Sequence, residues 1–210
     1  MNSYIETLIW RYATKKFDPT KKVSQSDIEI LKKSIQLSAS SYGLQPYEVY
    51  IIDNMDLKEK LRPVSWGQSQ VTDASHVFIF CNKKQIEEGF IDSFVENTSK
   101  TRNIPLENLK GYADFMKTKI LSLSSQEQQN WTARQAYIAV GNLLSAAAHL
   151  HIDTCPMEGF EPEKFNELLD LNTKGLHACV MVTVGYRSDE DQTQFNAKVR
   201  RSEEDLFTTL

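Results

Sequence analysis

A long apolar helix in the second half of the chain is the feature that most limits how this protein can fold. A helix is predicted over residues 126–149, because Ser124 and Glu127 just before it have the spacing of an N-terminal capping box. Its stretch AYIAVGNLLSAAAHL is apolar on almost all sides, whereas a helix at a protein surface keeps one polar face. The sequence therefore predicts a central helix that is packed on every side.

Three short segments have the composition of β-strands. Residues 47–52 are rich in aromatic and β-branched side chains, and residues 76–81 and 176–184 are apolar runs with the pattern of buried strands. Few strands among many helices indicate an α+β fold, with helices on both faces of a small sheet. Further helices are predicted at residues 3–12, 24–37, 56–62, 85–101, 106–121 and 161–169.

Length, composition and charge limit the classes of protein to which this chain can belong. The 210 residues are 40% hydrophobic and 25% charged, which fits one globular domain over residues 1–210. Acidic residues outnumber basic ones by 28 to 24, so nucleic acid and anionic membranes are not expected as main partners. No apolar stretch reaches the length of about 20 residues that spans a bilayer, and the N-terminus does not resemble a secretory signal. We therefore expect a cytoplasmic protein.

Several common active sites are excluded because their motifs are missing. The chain has no G-x-G-x-x-G after a strand, no G-x-x-x-x-G-K-[ST] phosphate loop and no G-x-S-x-G nucleophile motif. Its four histidines do not have H-E-x-x-H spacing, so no metal site is predicted. The three cysteines, Cys81, Cys155 and Cys179, are far apart and are expected to be free thiols.

Basic side chains are concentrated at the two ends of this acidic chain. If the fold brings both ends together, they form a phosphate site, in which arginine supplies a bidentate fork and lysine a point charge. A few charges near each terminus are also typical of ordinary solvated surface, so composition alone leaves both interpretations open. The residues concerned are Arg11, Lys15 and Lys16 at one end, and Lys198, Arg200 and Arg201 at the other.

Five short motifs, taken in order, give the chain a resemblance to a known family. Together they resemble the nitroreductase family of FMN flavoproteins, and most closely its oxygen-insensitive NAD(P)H nitroreductase/dihydropteridine reductase branch. Each motif is weak alone, but the resemblance runs over nearly the whole chain. The motifs are RYATKKFD at 11–18, SASSYGLQP at 38–46, WGQSQVTDASH at 66–76, PMEGF at 156–160 and KVR at 198–200.

The resemblance implies a fold, an activity and a partner. It implies an intertwined homodimer with a small, mostly antiparallel sheet covered by helices, and FMN bound tightly where the subunits meet. The polar C-terminal extension, about 187–210, would wrap the partner subunit. The implied reaction is ping-pong hydride transfer through flavin N5, from NADH or NADPH to nitroaromatics, quinones or pterin-like compounds. Flavin reduction, enone reduction on the same fold, and flavin binding without catalysis stay open as alternatives.

The resemblance also assigns roles to individual residues. The FMN phosphate would be bound by Arg11 with Lys198 and Arg200. No side chain is expected to act as a catalytic group, because the flavin carries the chemistry. The other implied flavin contacts are Tyr12, Ala13 and Lys15, then Ala39, Ser40 and Ser41 from the other subunit, and Pro156, Met157, Glu158 and Gly159, with the Glu158 N–H directed at N5.

Two positions depart from the family pattern. Gly67 and Gln70 stand where the best-known relatives carry Asn and Lys. Gly67 would make fewer hydrogen bonds to the flavin pyrimidine, and Gln70 could donate a hydrogen bond to it but would bring no positive charge. We therefore expect a flavin potential below that of relatives with the lysine. A flat substrate slot is expected between Ser41, Trp66 and Phe115, the last from the other subunit, and it would accept planar compounds by stacking.

Overall fold

The protein is described by a computed structural model that covers residues 3–210. The helices in this part of the chain are α1 (Ser3–Trp10), α2 (Gln25–Gln36), α3 (Met55–Leu61), α4 (Gln70–Asp73), α5 (Glu88–Arg102), α6 (Lys110–Leu121), α7 (Ser125–His149), α8 (Pro162–Leu168) and α9 (Glu203–Leu206). The strands are β1 (Tyr47–Ile52), β2 (His76–Lys83), β3 (Asp153–Met157) and β4 (Leu176–Gly185).

The four strands form one antiparallel sheet in the order β1-β2-β4-β3. The three predicted strands are confirmed, and β2 and β4 are the central pair, as their continuous apolar sequences require. Strand β3 was not predicted, because its sequence DTCPM contains a proline and has no apolar alternation. Pro156 is compatible with a strand here because β3 lies at the edge of the sheet.

Both faces of the sheet are buried under helices, which confirms the predicted α+β architecture. On one face, Val77, Ile79 and Cys81 pack with apolar residues such as Leu61 and Phe165 from α3 and α8. On the other face, residues of β2 and β4 pack against α2 and α7. The second cluster includes Leu31, Phe78, Phe80, Ala136, Ala139, Val140, Leu143, Val180 and Val182.

Helix α7 begins at the predicted capping box and runs for 25 residues. Its inner face, with Ala139 and Leu143, is buried against the sheet. The prediction that it is packed on every side is correct for only part of its surface in the protomer, since Tyr137 is 39% and Ile138 46% exposed. Exposed apolar side chains on a central helix are typical of a surface that contacts another protein.

The C-terminal segment returns to the N-terminal one, and its last residues are exposed to solvent. Asp191 caps the 3₁₀ turn Gln192–Phe195, and the residues from 195 onward are exposed. Several large apolar side chains in this tail face solvent in the protomer: Phe195, Val199, Leu206, Phe207 and Leu210. Within residues 3–210, none of the helices has both the length and the apolar composition needed to cross a membrane.

Candidate active site

The segment after α1 lies along the outer edge of β3. Ala13 forms a parallel bridge with Thr154, and the Thr14 N–H donates to the Thr154 carbonyl at 3.3 Å. Phe17 forms an antiparallel bridge with Arg187, at the start of the C-terminal segment. The N-terminal segment therefore continues the sheet edge, and this places Arg11 beside the end of β3.

A cavity of 580 Å³ lies between the two ends of the chain at this edge. Its walls come from the end of α1 and the segment after it, from β3 and from the C-terminal tail. Six residues that the sequence analysis assigned to flavin binding are brought together here: Arg11, Tyr12, Ala13, Pro156, Lys198 and Arg200.

The cations of this cavity lie close enough to repel one another. Burial lowers the pKa of the Arg11 guanidinium, and the nearby charge of Arg200 lowers it further. Burial and the charges of Arg11 and Arg200 also lower the pKa of Lys198. Within residues 3–210, none of the three forms an ion pair with a carboxylate, and Arg11 Nε is buried without a hydrogen-bond partner. Such a cluster is suited to an anion with several acceptor oxygens.

One buried carboxylate joins the two walls of the cavity. Asp191 is 2% exposed, and its Oδ2 accepts hydrogen bonds from Tyr12 Oη at 2.9 Å, Lys15 N at 2.7 Å and Lys16 N at 3.1 Å. Its Oδ1 accepts one from Thr193 N at 3.0 Å. Burial acts to raise the pKa of Asp191, but the backbone N–H donors of Lys15 and Lys16 outweigh it and leave the pKa below the usual value.

A partly buried ion pair supports the same segment. Arg187 Nε donates to Asp153 Oδ1 at 2.8 Å, and the guanidinium lies 4.3 Å and 4.6 Å from the ring centroids of Trp10 and Tyr12. The sequence analysis missed Asp153, Arg187 and Asp191. Their long-range partners are 34 to 179 residues away along the chain, so no local pattern marks them.

The exit of β3 borders a second cavity, of 500 Å³. The paired ladder with β4 ends at Met157, so the N–H of Glu158 lies beyond it. Pro156 lines both cavities, which therefore adjoin at this strand end. The complete lining of the second cavity is Tyr137, Val140, Gly141, Leu144, Pro156, Met157, Glu158 and Val180.

Trp66 lies directly over Gly159. A Cβ atom on Gly159 would lie 3.0 Å from Cε3 and Cζ3 of the Trp66 ring, so the close contact depends on glycine. Gln68 Nε2 donates to the Gly159 carbonyl at 2.8 Å and so links the two loops. Trp66 is 72% exposed, so its ring forms an open wall at the exit of β3.

The two positions that depart from the family pattern lie in the same loop as Trp66. Gly67 has a φ of +71°, and its carbonyl accepts a hydrogen bond from Arg62 Nε at 3.1 Å. Gln70 begins α4 and is only 8% exposed. Gly67 therefore lies within the segment that contacts Gly159 and Gln70 just after it, and their role toward a flavin stays a prediction.

The remaining predicted residues form a separate group in the protomer. The Ser41 N–H donates to Gln135 Oε1 at 2.8 Å, and the next residue, Tyr42, has its ring centroid 6.4 Å from that of Phe115. Neither Ser41 nor Phe115 lines the two cavities, and Ala39 and Ser40 precede the same turn. The prediction places this group in the other subunit's site, and it stays a prediction.

Lys15 and the cysteines complete the set of predicted residues. Lys15 is exposed, and its charge, with that of Arg11, acts on Cys155, whose pKa is nevertheless raised by burial. All three cysteines are free, as predicted, and burial raises the pKa of Cys179 to about 12. Among residues 3–210, no group of three or more His, Cys, Asp or Glu side chains could hold a metal ion.

Comparisons with known proteins identify the family and the fold of the chain. The family model described as "Nitroreductase family" matches residues 8–186. A Staphylococcus haemolyticus protein, provisionally named an NAD(P)H nitroreductase, is 36% identical over 99% of both chains.

Solved structures share the fold. The provisional nitroreductase ydfN of Bacillus subtilis has a TM-score of 0.89 at 18% identity, and the match covers 99% of both chains. A provisional nitroreductase of Exiguobacterium sibiricum, crystallised in complex with FMN, has a TM-score of 0.84 at 17% identity, over 100% of this chain and 98% of that one. The family match, the close relative and the shared fold confirm the resemblance seen in the motifs, and the chain belongs to the nitroreductase family of oxidoreductases.

Proposed function

We propose that this chain binds FMN and acts as an NAD(P)H-dependent reductase of nitroaromatics, quinones or pterin-like compounds. The observation that carries the proposal is the cavity at the β3 edge, where Arg11, Lys198 and Arg200 from opposite ends of the chain meet without a carboxylate partner among residues 3–210. The orphaned Nε of Arg11 points to a missing acceptor, which a phosphate oxygen would supply.

The residues around the two adjoining cavities fit FMN as a whole. The three cations would hold its phosphate, and Pro156, Met157 and Glu158 would lie against its ring system, whose flat apolar faces suit the mostly apolar second cavity. Bound there, FMN would supply two-electron redox chemistry between NAD(P)H and the acceptor. The exposed side of Trp66 would bound the opening through which planar compounds enter.

The same proposal includes a homodimer. Apolar side chains are exposed on α1 at Ile5 and Ile9, on α7 at Tyr137 and Ile138, and along the tail, so a large apolar surface has no cover in the protomer. A second copy would cover α7 and receive the tail, and it would bring the Ser41 and Phe115 group to the cavities.

Ile138→Asp is expected to convert the dimer into a monomer, because a carboxylate would have to be buried at the subunit contact. Analytical ultracentrifugation should find twice the 24.1 kDa chain mass for the wild type and the single mass for the variant. Met55→Asp, at an exposed position that begins α3, is the matched control and should stay dimeric. A monomeric wild type would contradict the dimer.

The activity is tested on the purified protein. We expect a yellow protein with a flavin absorbance spectrum, and steady oxidation of NADH or NADPH that menadione or nitrofurazone stimulates. Flavin binding without stimulated oxidation would favour a flavin-binding module. A colourless protein that does not take up added FMN would overturn the proposal.

A further inference from the structure

The hydroxyl of Tyr137 makes a short hydrogen bond to a carboxylate at the exit of β3. Tyr137 Oη donates to Glu158 Oε1 at 2.6 Å, and the next acceptor, the Cys179 carbonyl, lies at 3.5 Å. Among residues 3–210, the two side chains are the only ionisable groups that line the 500 Å³ cavity, whose other lining residues are apolar or glycine. Both side chains are partly open to solvent in the protomer, and a hydrogen bond to a carboxylate is among the stronger kinds.

Tyr137 belongs to the rigid helix α7, whereas Glu158 lies just beyond the end of strand β3. Helix α7 is packed along the sheet through buried residues such as Ala139 and Leu143. Glu158 follows the last paired residue of β3. The segment after β3 is held on its other side by Gln68, which donates to the Gly159 carbonyl, and by the Glu161 N–H, which donates to the Val64 carbonyl at 2.9 Å.

The phenol of Tyr137 stays protonated. Burial, followed by the hydrogen bond to Glu158, raises the pKa of Tyr137 well above its usual value. The phenol therefore stays a neutral hydrogen-bond donor at neutral pH.

We propose that Tyr137 is a positioning residue that holds the Glu158 carboxylate against α7 and, by satisfying its charge, raises the reduction potential of FMN bound at this strand end. This inference rests on the proposed function. A carboxylate without a donor beside the cofactor site would oppose the gain of electrons there, whereas one that accepts a strong hydrogen bond opposes it less.

Two substitutions have opposite expected effects. Tyr137→Phe removes the donor and keeps the ring, so the affinity for reduced FMN should fall by about tenfold. Oxidised FMN should bind within about threefold of wild type, and the potential therefore falls. Glu158→Gln removes the charge and keeps an acceptor oxygen, so the potential should rise. In the double variant, the loss of the hydroxyl should have little further effect, because the charge on which it acts is gone.

The potentials are measured on the full-length protein by titration against a reference dye. Tyr112→Phe removes another half-exposed hydroxyl, on α6 outside both cavities, and should leave the potential unchanged. An unchanged potential in Tyr137→Phe would overturn the inference even if FMN binds normally and the enzyme is active. Failure of the wild type to bind FMN would instead overturn the proposed function.

A second measurement tests the positioning role without relying on the cofactor. Hydrogen exchange of the peptide that covers residues 156–161 should be faster in Tyr137→Phe than in wild type, with or without added FMN, because one anchor of the segment is lost. Equal exchange rates would contradict the role of Tyr137 as an anchor. Faster exchange in Tyr112→Phe would also contradict it, because the effect would not be specific to the Glu158 contact.

Discussion

Arg11→Met is expected to weaken FMN binding by about 100-fold, because one hydrogen-bonded charge pair with a phosphate contributes up to about 3 kcal/mol. The apo protein should not lose stability. In the absence of an anion, Arg11 is repelled by its cationic neighbours, and burial together with this repulsion lowers the pKa values of Arg11 and Lys198. Fluorescence titration of the apo protein with FMN measures the affinity, and thermal unfolding measures the stability.

Lys16→Met is the control for Arg11→Met. It removes a positive charge from the same chain segment, but Lys16 is exposed, does not line the cavity and pairs with Glu190 at 3.5 Å. We expect FMN affinity within a fewfold of wild type. Equal losses of affinity in both variants would mean that general electrostatic attraction, and not the cavity, accounts for binding.

Asp191→Asn should lower the free energy of unfolding by about 2–3 kcal/mol at neutral pH. The amide is almost the same shape, but Oδ2 of Asp191 accepts three hydrogen bonds and Oδ1 a fourth. Whichever way the amide is oriented, its NH₂ group faces an N–H donor, and a buried donor is left without an acceptor. FMN binding should also weaken, because the two walls of the cavity meet at this residue.

The effect of Asp191→Asn should depend on pH with a definite sign. The folded-state pKa of Asp191 lies below its usual value of about 3.9, so the stabilisation is complete above that pH and is lost as the pH falls further. Chemical denaturation should therefore show the largest difference between wild type and variant at pH 7 and a smaller one below about pH 4. Asp189→Asn, at an exposed position nearby, should match wild type at both pH values; a pH-independent deficit in Asp191→Asn would contradict the account.

The local patterns of the sequence were sufficient for most of the elements. The aromatic and β-branched content of one segment and the apolar runs of two others identified β1, β2 and β4, and the Ser124–Glu127 spacing identified the start of α7. Strand β3 could not be found in this way, because its pairing with β4 and its bridge to Ala13 depend on long-range contacts. The same limit applies to the exposed side of α7, since a sequence pattern marks apolar surface but not what packs against it.

The candidate site was predictable where a motif carries it and not where tertiary contacts build it. Arg11, Pro156 and Arg200 were assigned from family motifs, and the structure brings them to one cavity. No sequence motif marks Asp191 or the Asp153–Arg187 pair, which hold this cavity together. A buried carboxylate can be identified only from the donors around it, and these are distant in the sequence.

The central claim is that cations from opposite ends of the chain form a phosphate site, and a comparison of FMN with riboflavin tests it most directly. The two ligands share the ring system and differ in the phosphate, so isothermal titration of the apo protein with each isolates the phosphate contribution. The account predicts that FMN binds at least about 100-fold more tightly than riboflavin and that Arg11→Met removes most of this difference. Equal affinities of the wild type for FMN and riboflavin would contradict it.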